Sequence, residues 1–343
     1  VITVSDWHRG IPRLIQYPAT PEAPTGSSQS ATVDNNGWIT SVTSETGDKT
    51  CYGYDAMGRL NKLAHPSETA VGACDDPTVQ PTVTWNPTTL LFEKVAAAEY
   101  GIPAGHWRQT VSTGNARKIS YYDARWQPLV VREYDTTNVT GTQRFTRFAY
   151  DHDGRTTFAS YPGATDALTT GTWSEYDALG RATSVSQDSE HGPLTTLTTY
   201  DSQFRITTTN ARSASTTTRF KAYGSPSTDW PTEILHPEGA ITDITRDDLG
   251  KPLSITRRDA AGSLLVTRTY AYDTHQQLCR SVEPETGATL MGYDGAGNLA
   301  WSAAGVAATL GCADASNAAV LARKVSRTYD ARNRVASLAF PGA

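Results

Sequence analysis

Short segments rich in β-branched residues recur along the chain with a period close to two. Segments 241–245 (ITDIT) and 253–256 (LSIT) flank one candidate turn, and segments 196–199 and 206–209 flank another. Short period-two segments bounded by turn residues are typical of β-strands. Helical periodicity is almost absent, and residues 93–100 are the best candidate for a short helix. The pattern therefore predicts an all-β chain made of hairpins.

One motif, Tyr-Asp-x-x-Gly-Arg, is repeated through the sequence at intervals such as 26, 24 and 21 residues. Its Tyr-Asp pairs are Tyr54-Asp55, Tyr122-Asp123, Tyr150-Asp151, Tyr176-Asp177, Tyr200-Asp201, Tyr272-Asp273, Tyr293-Asp294 and Tyr329-Asp330, and Arg246-Asp247 is a variant. Residues 33–39, 85–87 and 223–224 are interpreted as degenerate copies. A proline, at Pro66, Pro162, Pro284 and Pro341, lies 12 residues after four of the tyrosines. A regular period of this kind predicts one structural unit per copy.

Each motif is predicted to form the tip of a hairpin. Asp at the first position and Gly at the fourth are typical of a type I turn followed by a left-handed residue. The turn residues after Asp are Gly58 and Arg59, Gly154 and Arg155, Gly180 and Arg181, Gly250, Gly297, and Arg334, with Asn333 at the glycine position of the last copy. Trp126, Phe204 and Gln276 replace the glycine, so those three turns are expected to be wider or irregular. The prolines are expected to end the second strand of each hairpin.

The number of hairpins predicts an unusual shape. About a dozen hairpins give roughly two dozen strands, and a spacing of ~4.8 Å makes a sheet on the order of 115 Å wide. Open sheets rarely exceed about ten strands without curling or splitting. We therefore expect a large curled sheet that forms part of a hollow shell. A β-propeller, in which two units make one four-stranded blade, is the alternative.

Composition and charge narrow the range of possible functions. The chain has 343 residues, 38% of them apolar, and a formal net charge of −5. Mild acidity with scattered Lys and Arg does not favour binding to nucleic acid. No segment approaches the roughly 20 consecutive apolar residues of a membrane-spanning helix. The sequence lacks an initiator Met and stops after a motif, so we interpret residues 1–343 as one repeat region from a much larger chain.

Candidate chemistry is sparse. The seven histidines have no metal-like spacing, and no nucleophile elbow or dinucleotide fingerprint is complete. We therefore predict no catalytic site, cofactor or metal. The Asp and Arg of each motif are interpreted as turn caps and exposed ion pairs, and the motif Tyr is expected to stack between successive repeats.

Four cysteines allow three disulfide connectivities. Cys51 and Cys279 lie near a motif Tyr, whereas Cys74 and Cys312 lie in similar Ala-, Gly- and Asp-rich segments. We predict the pairs Cys51–Cys74 and Cys279–Cys312, each joining an insertion to its own repeat. Four buried or free thiols are the alternative.

The Tyr-Asp-x-x-Gly-Arg repeat with its trailing Pro resembles the YD repeats of the Rhs family, which also occur in insecticidal toxin complexes and in teneurins. Residues 5–12 (SDWHRGIP) resemble a segment common in Rhs chains. The resemblance implies a shell of hairpins enclosing a toxin domain of the same parent chain. Secretion-apparatus or chaperone proteins are further candidate partners. It also implies assembly in the bacterial cytoplasm followed by secretion or delivery at the cell surface.

Two features limit what the resemblance implies. The aspartyl-protease signature that closes the family's shell is absent from this sequence, so the segment resembles wall alone. The alternative function is adhesion at a cell surface, with exposed loops at 78–107 and 303–317 recognising a carbohydrate or protein, as the animal relatives suggest. A hydrolase is a third and weaker candidate.

Overall fold

The computed structural model describes residues 1–75, 85–202, 204–222 and 227–341. These residues form 26 β-strands and two four-residue helices. The chain divides into two compact units, residues 1–193 and 194–343. The predicted all-β chain of tandem hairpins is confirmed.

The first unit contains β1 to β14 and α1. Its elements are β1 (Thr3–His8), β2 (Ile11–Tyr17), β3 (Ser27–Val33), β4 (Ile39–Thr43), β5 (Lys49–Tyr54), β6 (Leu60–Ala64), β7 (Thr88–Lys94), β8 (Trp107–Thr113), β9 (Ala116–Tyr122), β10 (Pro128–Asp135), α1 (Val139–Thr142), β11 (Arg144–Tyr150), β12 (Thr156–Ser160), β13 (Gly171–Tyr176) and β14 (Ala182–Gln187).

The second unit contains β15 to β26 and α2. Its elements are β15 (Leu194–Asp201), β16 (Arg205–Thr209), β17 (Ser215–Phe220), β18 (Pro231–Leu235), β19 (Ile241–Arg246), β20 (Pro252–Arg258), β21 (Leu265–Tyr272), β22 (Leu278–Glu283), β23 (Gly287–Tyr293), β24 (Leu299–Val306), α2 (Ala318–Leu321), β25 (Lys324–Tyr329) and β26 (Val335–Ala339).

Within each unit, every strand pairs antiparallel with the strand that follows it. Pairing runs without a break from β1 to β14 and from β15 to β26. Consecutive hairpins are therefore continuous in hydrogen bonding. Separate four-stranded blades, as in the propeller alternative, do not form within either unit.

Prolines mark the ends of strands as predicted. Pro66, Pro162 and Pro341 each lie two residues beyond the last residue of β6, β12 and β26, and Pro284 follows β22 directly. Because proline lacks an N–H, these positions remove no donor from the ladder of strand hydrogen bonds.

The expected helix at residues 93–100 is wrong. Residues 93 and 94 complete strand β7, which pairs with β8 along its whole length. The two helices lie elsewhere, at α1 and α2, and each begins at an asparagine, Asn138 or Asn317, whose side chain accepts a backbone N–H of the first turn. N-cap asparagines satisfy N–H groups that otherwise lack partners, and both short helices have one.

The buried core consists of two clusters, each formed where an insertion covers the sheet. In the first unit Ile102, from the insertion 95–106 between β7 and β8, packs with Ile119, Tyr121, Val130 and Phe145 of β9 to β11. A single sheet layer has no second layer to bury its apolar side chains. The insertion therefore supplies the covering surface.

In the second unit the covering surface comes from α2 and the segment before it. Val320 packs against Ala288 and Leu290 of β23 and Ala303 and Val306 of β24. All five side chains are almost fully excluded from solvent. Insertions on the hairpins thus determine where apolar side chains are buried in each unit.

Each insertion that contains a cysteine is bonded to a strand. The structure places Cys51 of β5 in a disulfide with Cys74, with their Cα atoms 6.0 Å apart, and Cys279 of β22 in a disulfide with Cys312, with Cα atoms 5.4 Å apart. The described chain contains no free cysteine.

We predict that both disulfides form in the isolated protein. Peptide mapping by mass spectrometry without reduction should recover the pairs Cys51–Cys74 and Cys279–Cys312. Because the second bond joins residues 33 apart in sequence, its reduction should lower the free energy of unfolding by roughly 3 to 4 kcal/mol, measured by urea denaturation. Alkylation of all four cysteines in the native, unreduced protein would contradict both pairs.

Candidate functional site: the repeated Tyr-Asp turns

The motif aspartate closes each hairpin through its backbone and its side chain. Asp55 donates its N–H to the Arg59 carbonyl at 2.9 Å, and Gly58 donates its N–H to the Asp55 carbonyl at 3.0 Å. The Asp55 carboxylate oxygen Oδ1 accepts the N–H groups of Met57 and Arg59, both at 2.9 Å. One carboxylate oxygen thus satisfies two backbone donors that the tight turn would otherwise leave unpaired.

An aspartate begins this turn nine times in the described residues. The first residues of these turns are Asp34, Asp55, Asp123, Asp151, Asp177, Asp247, Asp273, Asp294 and Asp330. The degenerate copy at 33–39 therefore forms the predicted turn. Trp85 to Pro87 lead into β7 and do not form this turn. The copy at 223–224 lies outside the described residues.

Glycine is dispensable at the fourth position. Gly58, Gly154, Gly180, Gly250 and Gly297 all have φ between +79° and +85°. Trp126 and Gln276 adopt the same left-handed backbone, with φ of 65° and 64°, and make the same two backbone hydrogen bonds.

The expected wide or irregular turns at Trp126 and Gln276 are therefore wrong. The aspartate caps hold the turn firmly enough to impose a conformation that side chains resist. The third substituted turn differs: Asp201 pairs directly with Arg205 across it, Phe204 has φ of 55°, and Gln203 lies outside the described residues.

The motif tyrosines fasten neighbouring hairpins to each other. Tyr176, at the end of β13, donates its hydroxyl to the carbonyl of Thr156, the first residue of β12, at 2.9 Å. Backbone pairing of β12 with β13 stops at Phe158 and Trp173. The strands therefore separate towards the tip, and the tyrosine hydroxyl satisfies a carbonyl that the ladder no longer reaches.

This bond, the tyrosine latch, recurs with the same geometry. The donor and acceptor residues are Tyr54 and Ile39, Tyr150 and Pro128, Tyr176 and Thr156, Tyr272 and Pro252, Tyr293 and Leu278, and Tyr329 and Leu299, with distances of 2.8 to 3.0 Å. In every case the acceptor is the first residue of the strand that follows the preceding turn. The acceptor of the latch had no signal in the sequence, because it is a backbone carbonyl that any residue supplies.

Arg246, which replaces the motif Tyr in one copy, performs the same function. Its Nε donates to the carbonyl of Pro231, the first residue of β18, at 3.0 Å. Tyr122 is different, because its hydroxyl donates to the Gln109 side chain at 3.3 Å. The hairpin before Tyr122 ends in the insertion 95–106 and not in a Tyr-Asp turn.

The motif arginine links the turn to the ring of the next repeat. Arg155 Nε donates to Asp151 Oδ2 at 2.6 Å, and its guanidinium lies 5.1 Å from the ring centroid of Tyr176. The equivalent Asp–Arg bonds join Asp55 to Arg59, Asp177 to Arg181, Asp201 to Arg205 and Asp330 to Arg334. Such exposed ion pairs each contribute about 0.2 to 1 kcal/mol. Because these ion pairs recur at the same position of the turn, we interpret them as structural and not catalytic.

The turn geometry favours the charged form of the aspartates. The pKa values of Asp55, Asp177, Asp294 and Asp330 are lowered below 3.8, and the largest cause in each is the hydrogen bond from the backbone N–H four residues on. A carboxylate accepts these N–H groups better than a protonated carboxyl does. The turns therefore depend on ionised aspartates.

A β-bulge follows each of these nine turns and was not predicted. The extra residue always lies six positions after Asp, at Thr40, Asn61, Leu129, Thr157, Thr183, Leu253, Cys279, Ala300 and Ala336. Bulges increase strand twist and redirect side chains. The chemical variety of the bulged residues explains why the sequence carried no signal for them.

Within the described residues, no three His, Cys, Asp or Glu side chains are grouped so that they could hold a metal ion. Neither described helix is long and apolar enough to cross a membrane. The expected exposed loop 78–107 contains β7, and its first residues lie outside the described part of the chain. The expected loop 303–317 begins inside β24.

Comparison with known proteins identifies the repeat. The family model "RHS Repeat" matches residues 33–70, which include the first complete Tyr-Asp motif. The similarity to the Rhs, or YD-repeat, family that the motifs predicted is thereby confirmed. No curated protein matches the sequence.

Two solved structures have a similar fold. One is a crystal structure of TcdB2-TccC3-Cdc42, with a TM-score of 0.50 and 13% identity over 90% of this chain. The other is the Photorhabdus luminescens Tc holotoxin pore with a mutated TccC3, with a TM-score of 0.50 and 13% identity over 98% of this chain. This chain covers 17% of each matched chain. At this identity the similarity concerns the fold.

We predict that the tyrosine latch and the tyrosine ring stabilise the sheet separately. Tyr176→Phe, which removes only the hydroxyl, should lower the free energy of unfolding by about 1 kcal/mol. Tyr176→Ala should lower it by roughly 3 kcal/mol because the packed ring is also lost. The Tyr270 hydroxyl has no hydrogen-bond partner within the described residues, so Tyr270→Phe is the control and should change stability by less than about 0.5 kcal/mol. Equal stability of Tyr176→Ala and the unmodified chain in urea denaturation would show that the ring is not packed.

We predict that acid weakens the turns. Because the aspartate pKa values are lower in the folded chain than in the unfolded chain, their stabilisation is complete above the ordinary value of 3.8. It is lost as the pH falls through the folded values. Thermal melts should give a constant Tm from pH 7 to about pH 5 and a falling Tm below about pH 4. The Tm of the Asp177→Asn variant should fall less steeply with decreasing pH. A Tm that rises on acidification would contradict the prediction.

Proposed function

We propose that this chain is a wall segment of an Rhs-type shell that encloses a toxin domain of its parent chain and protects it until delivery to a target cell. The role is structural and not catalytic. It is supported by the matched Rhs repeat and by the fold shared with the Tc toxin structures over most of this chain. This chain covers only part of those proteins, so enclosure of a toxin is part of the proposal.

The observation that carries the proposal is the unbroken strand pairing within each unit. The first unit pairs 14 strands in sequence and the second pairs 12. Both exceed the roughly ten strands beyond which open twisted sheets curl or split. A sheet one layer thick and this wide can enclose space, because its strength comes from backbone pairing and tyrosine latches and not from a filled core.

The mechanism of protection is steric. A closed sheet exposes no unpaired backbone in its interior and leaves no opening for a protease or another large molecule. The enclosed domain of the same parent chain is the principal partner, with secretion-apparatus or chaperone proteins as further ones. We place assembly in the bacterial cytoplasm and activity after secretion or surface delivery.

The test uses the parent protein. Small-angle X-ray scattering should give the profile of a hollow particle, and a protease should cleave the C-terminal domain only after the shell is opened. A matched variant carrying Tyr150→Phe, Tyr176→Phe and Tyr272→Phe should lose protection at a lower denaturant concentration than Tyr270→Phe.

Two results would overturn the proposal. The first is the scattering profile of a solid particle. The second is a C-terminal domain that is cleaved equally fast before and after the shell opens. A membrane anchor in place of a toxin domain would instead favour the adhesion alternative.

A further inference from the structure

One Tyr-Asp turn of the first unit borders a cleft with aromatic walls. The cleft has a volume of about 430 Å³ and lies between the turn at Asp123 and residues 102–106 of the insertion. Its lining includes the rings of Trp107, Tyr122 and Trp126 together with Asp123. Clefts of this size that combine apolar walls with a few polar groups are typical of binding sites.

The aromatic wall is built from stacked rings. Phe92 and Trp107 are parallel within 9° at 5.2 Å, and Trp126 packs 5.1 Å from Phe92 and 5.5 Å from Trp107. Trp126 nevertheless remains 53% exposed. A large, exposed aromatic side chain is thus held rigidly at the edge of the cleft.

Trp126 occupies the glycine position of its turn. Its φ of 65° belongs to the left-handed region, which a bulky side chain disfavours. Six of the eight other aspartate-led turns have glycine at this position. The aspartate cap that imposes this backbone therefore places a tryptophan side chain, instead of glycine, beside the cleft.

Asp123 has an incompletely used carboxylate. Its Oδ1 accepts the N–H groups of Arg125 and Gln127, as in the other turns. Within the described residues its Oδ2 has no hydrogen-bond or ion-pair partner. In four comparable turns an arginine four residues after Asp binds Oδ2. Here that position is Gln127, whose amide donates to the Gly154 carbonyl instead.

The other arginine of the turn is also engaged elsewhere. Arg125 donates from Nη1 to the carbonyl of His152. The carboxylate therefore receives no cation from its own hairpin. Among the described residues, the cleft lining includes a carboxylate acceptor and aromatic rings but no arginine.

In two other turns an arginine side chain lies between the aspartate carboxylate and an aromatic ring. Arg59 binds Asp55 Oδ2 at 2.7 Å and lies 4.9 Å from the ring centroid of Phe92. Arg155 binds Asp151 Oδ2 and lies over the ring of Tyr176. In each, a guanidinium joins a carboxylate to an aromatic face, which combines an ion pair with a cation–π interaction.

We propose that the cleft at Asp123 binds the guanidinium of an arginine side chain from a partner polypeptide, held by Asp123 Oδ2 and by the exposed face of Trp126. Arginine fits better than lysine because its planar group can stack on a ring while it donates to a carboxylate. This inference goes beyond the shell role and does not depend on it.

The test uses the 343-residue chain labelled with 5-fluorotryptophan. The ¹⁹F signal of Trp126 is assigned as the one of the eight tryptophan signals that Trp126→Phe removes. The probe is N-acetyl-arginine-N-methylamide, and its neutral control is the citrulline analogue, which has the same length. We expect a saturable shift of the Trp126 signal with the arginine probe, with a dissociation constant on the order of millimolar, as for a single anchored side chain. An equal response to citrulline, or no saturable shift, would overturn the proposal.

Variants separate binding from turn stability. Asp123→Asn should weaken arginine binding at least tenfold. Asp273→Asn is the matched control, because Asp273 begins the same turn, has Gln277 at the same position and lies outside the cleft. It should leave binding unchanged.

Gln127→Arg supplies an internal guanidinium and should abolish binding without removing any group from the cleft. It therefore keeps the test decisive if Asp123→Asn fails to fold. Unchanged binding in folded Asp123→Asn or in Gln127→Arg would refute the assignment.

Discussion

The acceptance of two backbone N–H groups by one aspartate oxygen is the interaction on which the rest of this structure depends. It closes nine hairpins of the described chain with the same geometry. Because the carboxylate replaces hydrogen bonds that the tight turn breaks, the turn tolerates tryptophan and glutamine where glycine is normally required. Every strand pair, bulge and latch then starts from a tip of constant shape.

Because the tips are alike, the stability of each unit is approximately a sum of contributions from single hairpins and from the contacts between neighbouring hairpins. Each hairpin contacts mainly the hairpins on either side of it, as in other repeat proteins. The tyrosine latch strengthens this coupling where the strands separate near their tips and the backbone ladder stops. The bulge six residues after each Asp increases twist in every repeat. A wide sheet made in this way is stabilised by the contacts between neighbouring hairpins. It needs a packed core only locally.

Copies of the motif that differ from the others, and the insertions between strands, give this chain features that the regular repeats do not have. Arg246 keeps the latch although the ring is lost, so the hydrogen bond does not require a tyrosine. Insertions bury the two apolar clusters and carry the cysteines that join them to the sheet. Gln127 and Trp126 change one turn from a closed ion pair into an open cleft beside rigid rings. The regular repeats provide the scaffold, and the exceptions provide surfaces with distinct chemistry.

The strands, the Asp-led turns and the strand-ending prolines were predictable from the sequence, because they follow from residues within one hairpin. The sequence also identified the repeat family through the same local motif. The acceptors of the motif tyrosines, the bulges and the packing of Ile102 over β9 to β11 became visible only in the folded chain. The tyrosine acceptors are backbone carbonyls 15 to 30 residues away, and the bulged positions accept threonine, leucine or alanine alike. Interactions between hairpins that use backbone atoms do not require a particular residue type, so they cannot be recognised in the sequence.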